Sequence, residues 1–130
     1  MAKQFTLGKE ERLKSRKQTE LLFSEGKKFT IAPFRFHYSF SKAEKTSLQF
    51  GAGVSKRNFK KAVDRNRIKR LMREAYRLQK IKLREKLEEK KFGLTIFFIY
   101  TGKELPAFKE VYEKTEKGLD KLCEIASSIN

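Results

Sequence analysis

The sequence predicts an α+β fold, a small two-layer sandwich of a mixed sheet and helices, and three stretches carry that reading. Phe34 to Phe40, FRFHYSF, alternates apolar and polar residues as a half-buried strand does. Residues 94–100, LTIFFIY, form a continuous apolar and β-branched run that suits a strand buried on both faces. Between them, residues 54–77, VSKRNFKKAVDRNRIKRLMREAYR, place apolar groups at helical spacing. Strands divided by a long helix, with a further helix at each end, make one domain over residues 1–130, long enough to bury a core without disulfides or metal.

Taken in order, residues 1–11 mix polar and charged groups without a period and are expected to form a mobile basic arm. Ser15 and Gln18 have capping-box spacing, Leu21, Leu22 and Phe23 follow, and Gly26 stops the run, so a first helix is expected over 16–25. In FRFHYSF the aromatic set Phe34, Phe36, Tyr38 and Phe40 faces the core. The opposite set, Arg35, His37 and Ser39, offers a guanidinium, an imidazole and a hydroxyl to solvent or to an RNA strand. Residues 41–46 read as a turn and 47–54 as a second strand, weakened by Gly51 and Gly53. The main helix starts near residue 60, with Ile68, Leu71, Met72, Ala75 and Leu78 on its apolar stripe. Ile81, Leu83 and Leu87 fall out of that phase, so residues 79–91 are expected to form a bent or projecting, solvated extension. Phe108, Val111, Tyr112, Thr115, Leu119, Leu122 and Ala126 recur at helical spacing after Pro106, which gives a last helix with its aromatics in the core.

Charge dominates the composition. The chain carries a net +16, and residues 54–77 hold ten Lys or Arg against Asp64 and Glu74 alone, half of that excess. Arg65, Asn66, Lys69, Arg70, Arg73 and Arg77 lie together opposite the apolar stripe. A solvated helix face interleaves acids with bases, whereas this one repels itself, and a polyanion removes the repulsion. Guanidinium forks match phosphate oxygens, and the amide of Asn66 suits a base edge or a 2′-hydroxyl. Nucleic acid is therefore the expected partner, since no apolar run approaches the 18 residues of a membrane span and residues 1–8 lack a signal core. A cytoplasmic location follows, and the single Cys123 suits a reducing compartment. With His37 the only histidine, no Cys/His metal cluster is possible.

Arg65-Asn66-Arg67 followed by Ile68-Lys69-Arg70-Leu71-Met72-Arg73-Glu74-Ala75, behind Gly53-Val54-Ser55-Lys56-Arg57 and Ala62-Val63, resembles the protein subunit of bacterial ribonuclease P. More loosely, the resemblance covers about residues 10 to 120, including Arg12-Leu13-Lys14 and Phe23. It implies the αβββαβα topology of the second domain of ribosomal protein S5, with a left-handed crossover that opens a cleft beside the basic helix, and a further short strand near the second one. It also implies that an RNA subunit is the catalyst and that the protein assists removal of the 5′ leader from precursor tRNA, with Mg2+ entering with the RNA and no protein partner required.

The residues agree with an absence of protein-borne chemistry, and no catalytic or metal-holding residue is assigned. Asp64 and Glu74 are ten positions apart on a helix, about 15 Å along its axis, too far to share a metal. By position in the matched motif, Arg65, Asn66, Arg67, Lys69, Arg70 and Arg73 are expected to touch RNA. Arg77, on the same face, and Lys56, Arg57, Lys60 and Lys61 extend the positive surface. The resemblance further implies a leader cleft between the first helix and the sheet. Phe23 matches one aromatic position there, Thr19 stands where a second aromatic is expected one turn earlier, and an expected Tyr falls at His37 or Tyr38. His37 is favoured because Tyr38 shares a face with Phe34 and Phe36, and Arg35 lies on the same side as His37. A structural RNA-binding protein with no part in cleavage, and a DNA-binding helix, are the other readings that composition allows.

Overall fold

The computed structural model describes residues 16–42 and 47–129, so the arm at residues 1–11, the Ser15 cap and most of the 41–46 turn lie outside the described residues. The elements run in the order αβββαβα: α1 (Arg16–Glu25), β1 (Lys27–Ile31), β2 (Phe34–Lys42), β3 (Ser47–Val54), α2 (Ala62–Lys90), β4 (Phe92–Tyr100) and α3 (Phe108–Ser128). One sheet holds all four strands in the order β1-β2-β4-β3. β1 and β4 both run antiparallel to β2, whereas β3 runs parallel to β4, with Val54 opposite Tyr100. Parallel neighbours need a long crossover, and here α2 supplies it. No helix among the described residues is long and apolar enough to cross a membrane.

The alternation in β2 sorts the sheet into two faces. Phe34, Phe36 and Tyr38 join Leu94, Ile96, Phe98 and Tyr100 of β4 and Leu48 and Phe50 of β3 in a closed core under α2 and α3. Aromatic rings make most of this layer: Phe36 stacks on Phe98 at 4.4 Å between centroids, and Phe50 stacks on Tyr76 of α2 at 3.9 Å. Each such pair adds about 0.5–1.5 kcal/mol beyond the area it buries. α1 lies on the other face, which it covers only in part.

Four expectations are corrected by this arrangement. The additional strand is β1, ahead of β2; it is a short edge strand whose exposed Lys27 and Lys28 guard the free edge, so its alternation is weak in sequence. β4 is closed on one face only, because Thr95, Phe97 and Ile99 point to the side that α1 leaves partly open. Residues 79–90 do not project: Leu83 and Leu87 are fully buried and α2 packs along α3. The true stripe of α2 is Ile68, Met72, Ala75, Tyr76, Lys80, Leu83 and Leu87, in phase for its whole length, while Leu78 is 38% exposed. A lysine at one stripe position hid that continuity. In α3 the core residues are Val111, Thr115, Gly118, Leu119, Leu122, Cys123 and Ala126, with Phe108 exposed and Tyr112 half-buried.

Gly118 is what lets α3 approach the sheet. A Cβ there would come closer than 3.0 Å to three atoms of the Phe36 ring, which is itself held between Phe29 and Phe98. In an ordinary helix Gly→Ala adds up to about 1 kcal/mol of stability. Here the sign reverses: Gly118→Ala is expected to cost about 1–3 kcal/mol in urea unfolding through overpacking, and a stabilised variant would show that α3 is free to shift.

Candidate nucleic-acid interface

The loop between β3 and α2 carries Lys56, Arg57, Lys60 and Lys61, all exposed, on a backbone fixed at several points. The Asn58 Nδ2 donates to the carbonyls of Thr101 at 3.1 Å and Gly102 at 3.2 Å, beyond the end of β4. Phe59 is buried, its ring 6.0 Å from that of Tyr100, and its N–H donates to the Ser55 carbonyl at 3.1 Å. Arg65 closes the loop from the helix side, its Nη1 donating to the carbonyls of Phe59 and Lys60, both at 2.8 Å. The loop therefore presents its cations from a prepared shape, with little ordering entropy left to lose on binding.

Along the first turns of α2, Asn66, Arg67, Arg70 and Arg73 are exposed and Lys69 is half-buried beside them. Lys61 is the N-cap and makes no side-chain cap hydrogen bond. Cations at a helix N-terminus oppose the macrodipole, an arrangement that a phosphate reverses. Arg77 is engaged within the helix. Its Nε donates to Glu74 Oε2 at 3.1 Å and its Nη2 pairs with Glu74 Oε1, and these hydrogen bonds hold the Glu74 carboxyl below the usual carboxylate range. The exposed positive face thus ends one turn before Arg77.

A second feature lies across the sheet. Phe23 of α1, 44% exposed, meets His37 of β2 edge-on at 4.7 Å and Phe97 of β4 edge-on at 5.2 Å. Gly53 makes room for this trio, since a Cβ on it would stand 2.7 Å from the Phe97 ring. His37 is 9% exposed and sits opposite Lys28 of β1 in the strand register; burial first, then Arg35 and Lys28, push its pKa below the ordinary 6.5. At neutral pH it is an uncharged imidazole with one donor and one acceptor. Arg35 is exposed on the same face, opposite Thr30, and Thr19 is half-buried on α1. Tyr38 points the other way, buried near Phe29 and Phe40.

The basic set and the cleft set are thus two surfaces served by one sheet. Three residues at these surfaces were not singled out by the sequence. Phe97 was hidden in a continuous apolar run, Asn58 in a charged loop, and Lys28 in an edge strand. For Phe97 the only available signal was its odd register relative to Ile96 and Phe98.

A family model described as Ribonuclease P matches residues 7–123 of the chain. The ribonuclease P protein component of Porphyromonas gingivalis is 39% identical over 120 residues, which are 92% of this chain and 88% of that protein. The corresponding protein of Dictyoglomus thermophilum is 39% identical over 84 residues, 65% of this chain and 68% of its own length. In solved structures, the RNase P protein of Staphylococcus aureus has the same fold, with a TM-score of 0.65 at 20% identity over 92% of this chain and 98% of that one. With the Arg65-Asn66-Arg67 helix behind a glycine-ended strand and a family match over nearly its whole length, the chain belongs to the ribonuclease P protein family.

Proposed function

We propose that the protein works as the partner of a catalytic RNA in 5′ maturation of precursor tRNA, in the cytoplasm. The loop at 55–61 and the exposed face of α2 bind that RNA; the cleft between α1 and the sheet holds the single-stranded leader. The observation that carries this reading is the pairing of a pinned, acid-poor basic surface with an aromatic cleft on the same sheet. Phosphate contacts suit a structured RNA, and edge-on aromatics with one open side suit unstacked bases. Glu74 is engaged by Arg77, and among the described residues no group of three or more His, Cys, Asp or Glu stands together to hold a metal, which supports a reading in which hydrolysis and its Mg2+ belong to the RNA. Family membership supports this reading over a structural RNA-binding protein of similar charge.

Arg70 and Arg65 are expected to act differently. Arg70→Ala removes an exposed guanidinium, weakens assembly with the catalytic RNA by roughly 1–3 kcal/mol, and flattens log K against log salt by about 0.7–0.9 for each phosphate no longer neutralised. Arg65→Ala releases the loop, so it also weakens assembly and additionally raises hydrogen exchange at Phe59 and Lys60 in the free protein. Equal salt slopes for wild type and Arg70→Ala would return that residue to plain surface.

The functional reading is tested on the assembled enzyme with precursor and mature tRNA. Phe23→Ala is expected to weaken precursor binding by about 1–3 kcal/mol, one base stack, without changing affinity for mature tRNA, and Thr19→Phe to tighten the precursor alone. Equal shifts for both substrates would assign these side chains to packing.

His37 also makes stability depend on pH. The unfolded imidazole takes up a proton near pH 6.5, while the native one resists it to lower pH. Its contribution is complete above about pH 6.5 and is lost as pH falls through the depressed native value. Urea unfolding between pH 7.5 and 5 is expected to show a loss that His37→Gln reduces; parallel curves for the two proteins would exclude it.

A further inference from the structure

We propose that the end of β2 farthest from the basic loop docks a short extended segment of a partner protein, one that carries an apolar anchor between acidic residues. The sheet leaves a lane open for such a segment. β1 ends at Lys27, opposite Tyr38, because the chain enters it directly from α1 at Gly26, whereas β2 continues to Lys42. Ser39 to Lys42 therefore pair with β4 on one side, opposite Phe92 to Thr95, and have no strand of the described residues on the other. In an antiparallel ladder successive residues turn their N–H and C=O groups to opposite sides, so half of these groups face the open lane. An added strand supplies partners at the matching spacing.

Beside this lane lies a pocket of about 440 Å3, on the face of the sheet that α3 covers. Tyr38, Phe40 and Phe92 line it from the strands, and Ile125 and Ile129 from the end of α3. The Phe40 ring meets Tyr38 edge-on at 5.8 Å and Phe92 edge-on at 6.2 Å, and Phe40, Ile125 and Ile129 are only half-buried. A residue opposite Phe40 in an added strand points to the same face, into the pocket, so it is the anchor and is aromatic or a large aliphatic. Charge selects its neighbours. Lys27 and Lys42, both exposed, line the pocket at the two ends of the open lane, against Glu25 alone. Lys27 stands opposite Tyr38, and Lys42 lies four residues further along β2, about 13 Å away. One acid on each side of the anchor therefore meets a lysine.

The docking site stands apart from the RNA surface. The basic loop leaves β3 at Val54, while Ser47, at the other end of that strand, pairs with Gly93 beside the pocket. At strand rise the eight residues of β3 separate the two regions by about 25 Å. That is about three times the screening length of roughly 8 Å at physiological salt, so neither surface feels the other's charge. A docked segment leaves RNA binding intact, and this end of the sheet recruits a protein to the assembled ribonucleoprotein.

The probe is a fluorescein-labelled peptide, Gly-Asp-Val-Phe-Val-Glu-Gly, titrated by fluorescence polarisation into the chain alone and into the chain assembled with its catalytic RNA. The RNA occupies the basic surface and removes it as a site for acids. Saturable binding of equal strength is expected in both. Replacing the peptide's Phe with Gly should weaken it at least about tenfold, the loss of one buried aromatic side chain. N-methylation should abolish binding at alternate peptide residues only. Lys42→Glu, an exposed substitution, should weaken binding about fivefold by turning a favourable cross-strand charge pair into a like-charge one, and Ile129→Glu should abolish it. Neither should change assembly with RNA. No saturable binding, binding lost on assembly with RNA, or binding unchanged by Lys42→Glu would overturn the proposal. Loss in a folded Ile129→Glu variant without any effect of N-methylation would overturn it too, in favour of an anionic amphiphile held by the pocket alone. Because peptide binding is read directly, its failure leaves the RNA-binding reading untouched.

Discussion

The parallel pairing of β3 with β4 is the constraint on which the rest of the molecule depends. Parallel neighbours cannot be joined by a tight turn, so the chain must leave the end of β3, travel back along the sheet and re-enter β4 in the same direction. α2 makes that return and ends at Lys90, and the left-handed backbone of its C-cap Lys91 (φ 59°) turns directly into β4. Because Val54 and Tyr100 finish side by side, the loop leaving β3 lands against the segment leaving β4, and Asn58 reaches the carbonyls of Thr101 and Gly102. The basic loop owes its shape to this coincidence of strand ends.

The aromatic side chains divide along the same sheet. On the closed face, rings stack on rings and on α2, and Gly118 allows α3 to sit directly over Phe36. On the open face Phe23, His37 and Phe97 meet edge-on under only a ten-residue helix. Both faces are rich in Phe, yet one is a core and the other a surface. The difference is coverage: α2 and α3 together close one side, and α1 alone cannot close the other.

Electrostatic organisation follows a comparable division of labour. A positive surface is costly to hold together, and its repulsion is limited here by committing some cations internally. Arg65 is bonded to backbone carbonyls and Arg77 to Glu74, whereas Arg67 and Arg70 stand exposed between them. On the far side of the sheet, Lys28 and Arg35 flank an imidazole that burial keeps neutral.

By itself the sequence determined the fold class, the positions of most elements and the basic surface, because each rests on local periodicity or on charge counted along the chain. FRFHYSF had to be a strand with His37 and Arg35 opposite its aromatics, and the run from Lys56 to Arg73 had to be a positive helix and loop. The motif at residues 65–75 was also legible, since its residues are contiguous. Whatever depended on coverage or on distant partners was decided by tertiary structure. Whether LTIFFIY was closed on one side or both depended on how far α1 extends, and Lys80 interrupted the stripe of α2 in composition but not in space. Phe97 meets Phe23 across 74 residues of chain, and Asn58 meets Thr101 across 43, so no window of sequence contained either contact. Hydrophobic periodicity states which side of an element is apolar; only the packed chain decides what, if anything, covers it.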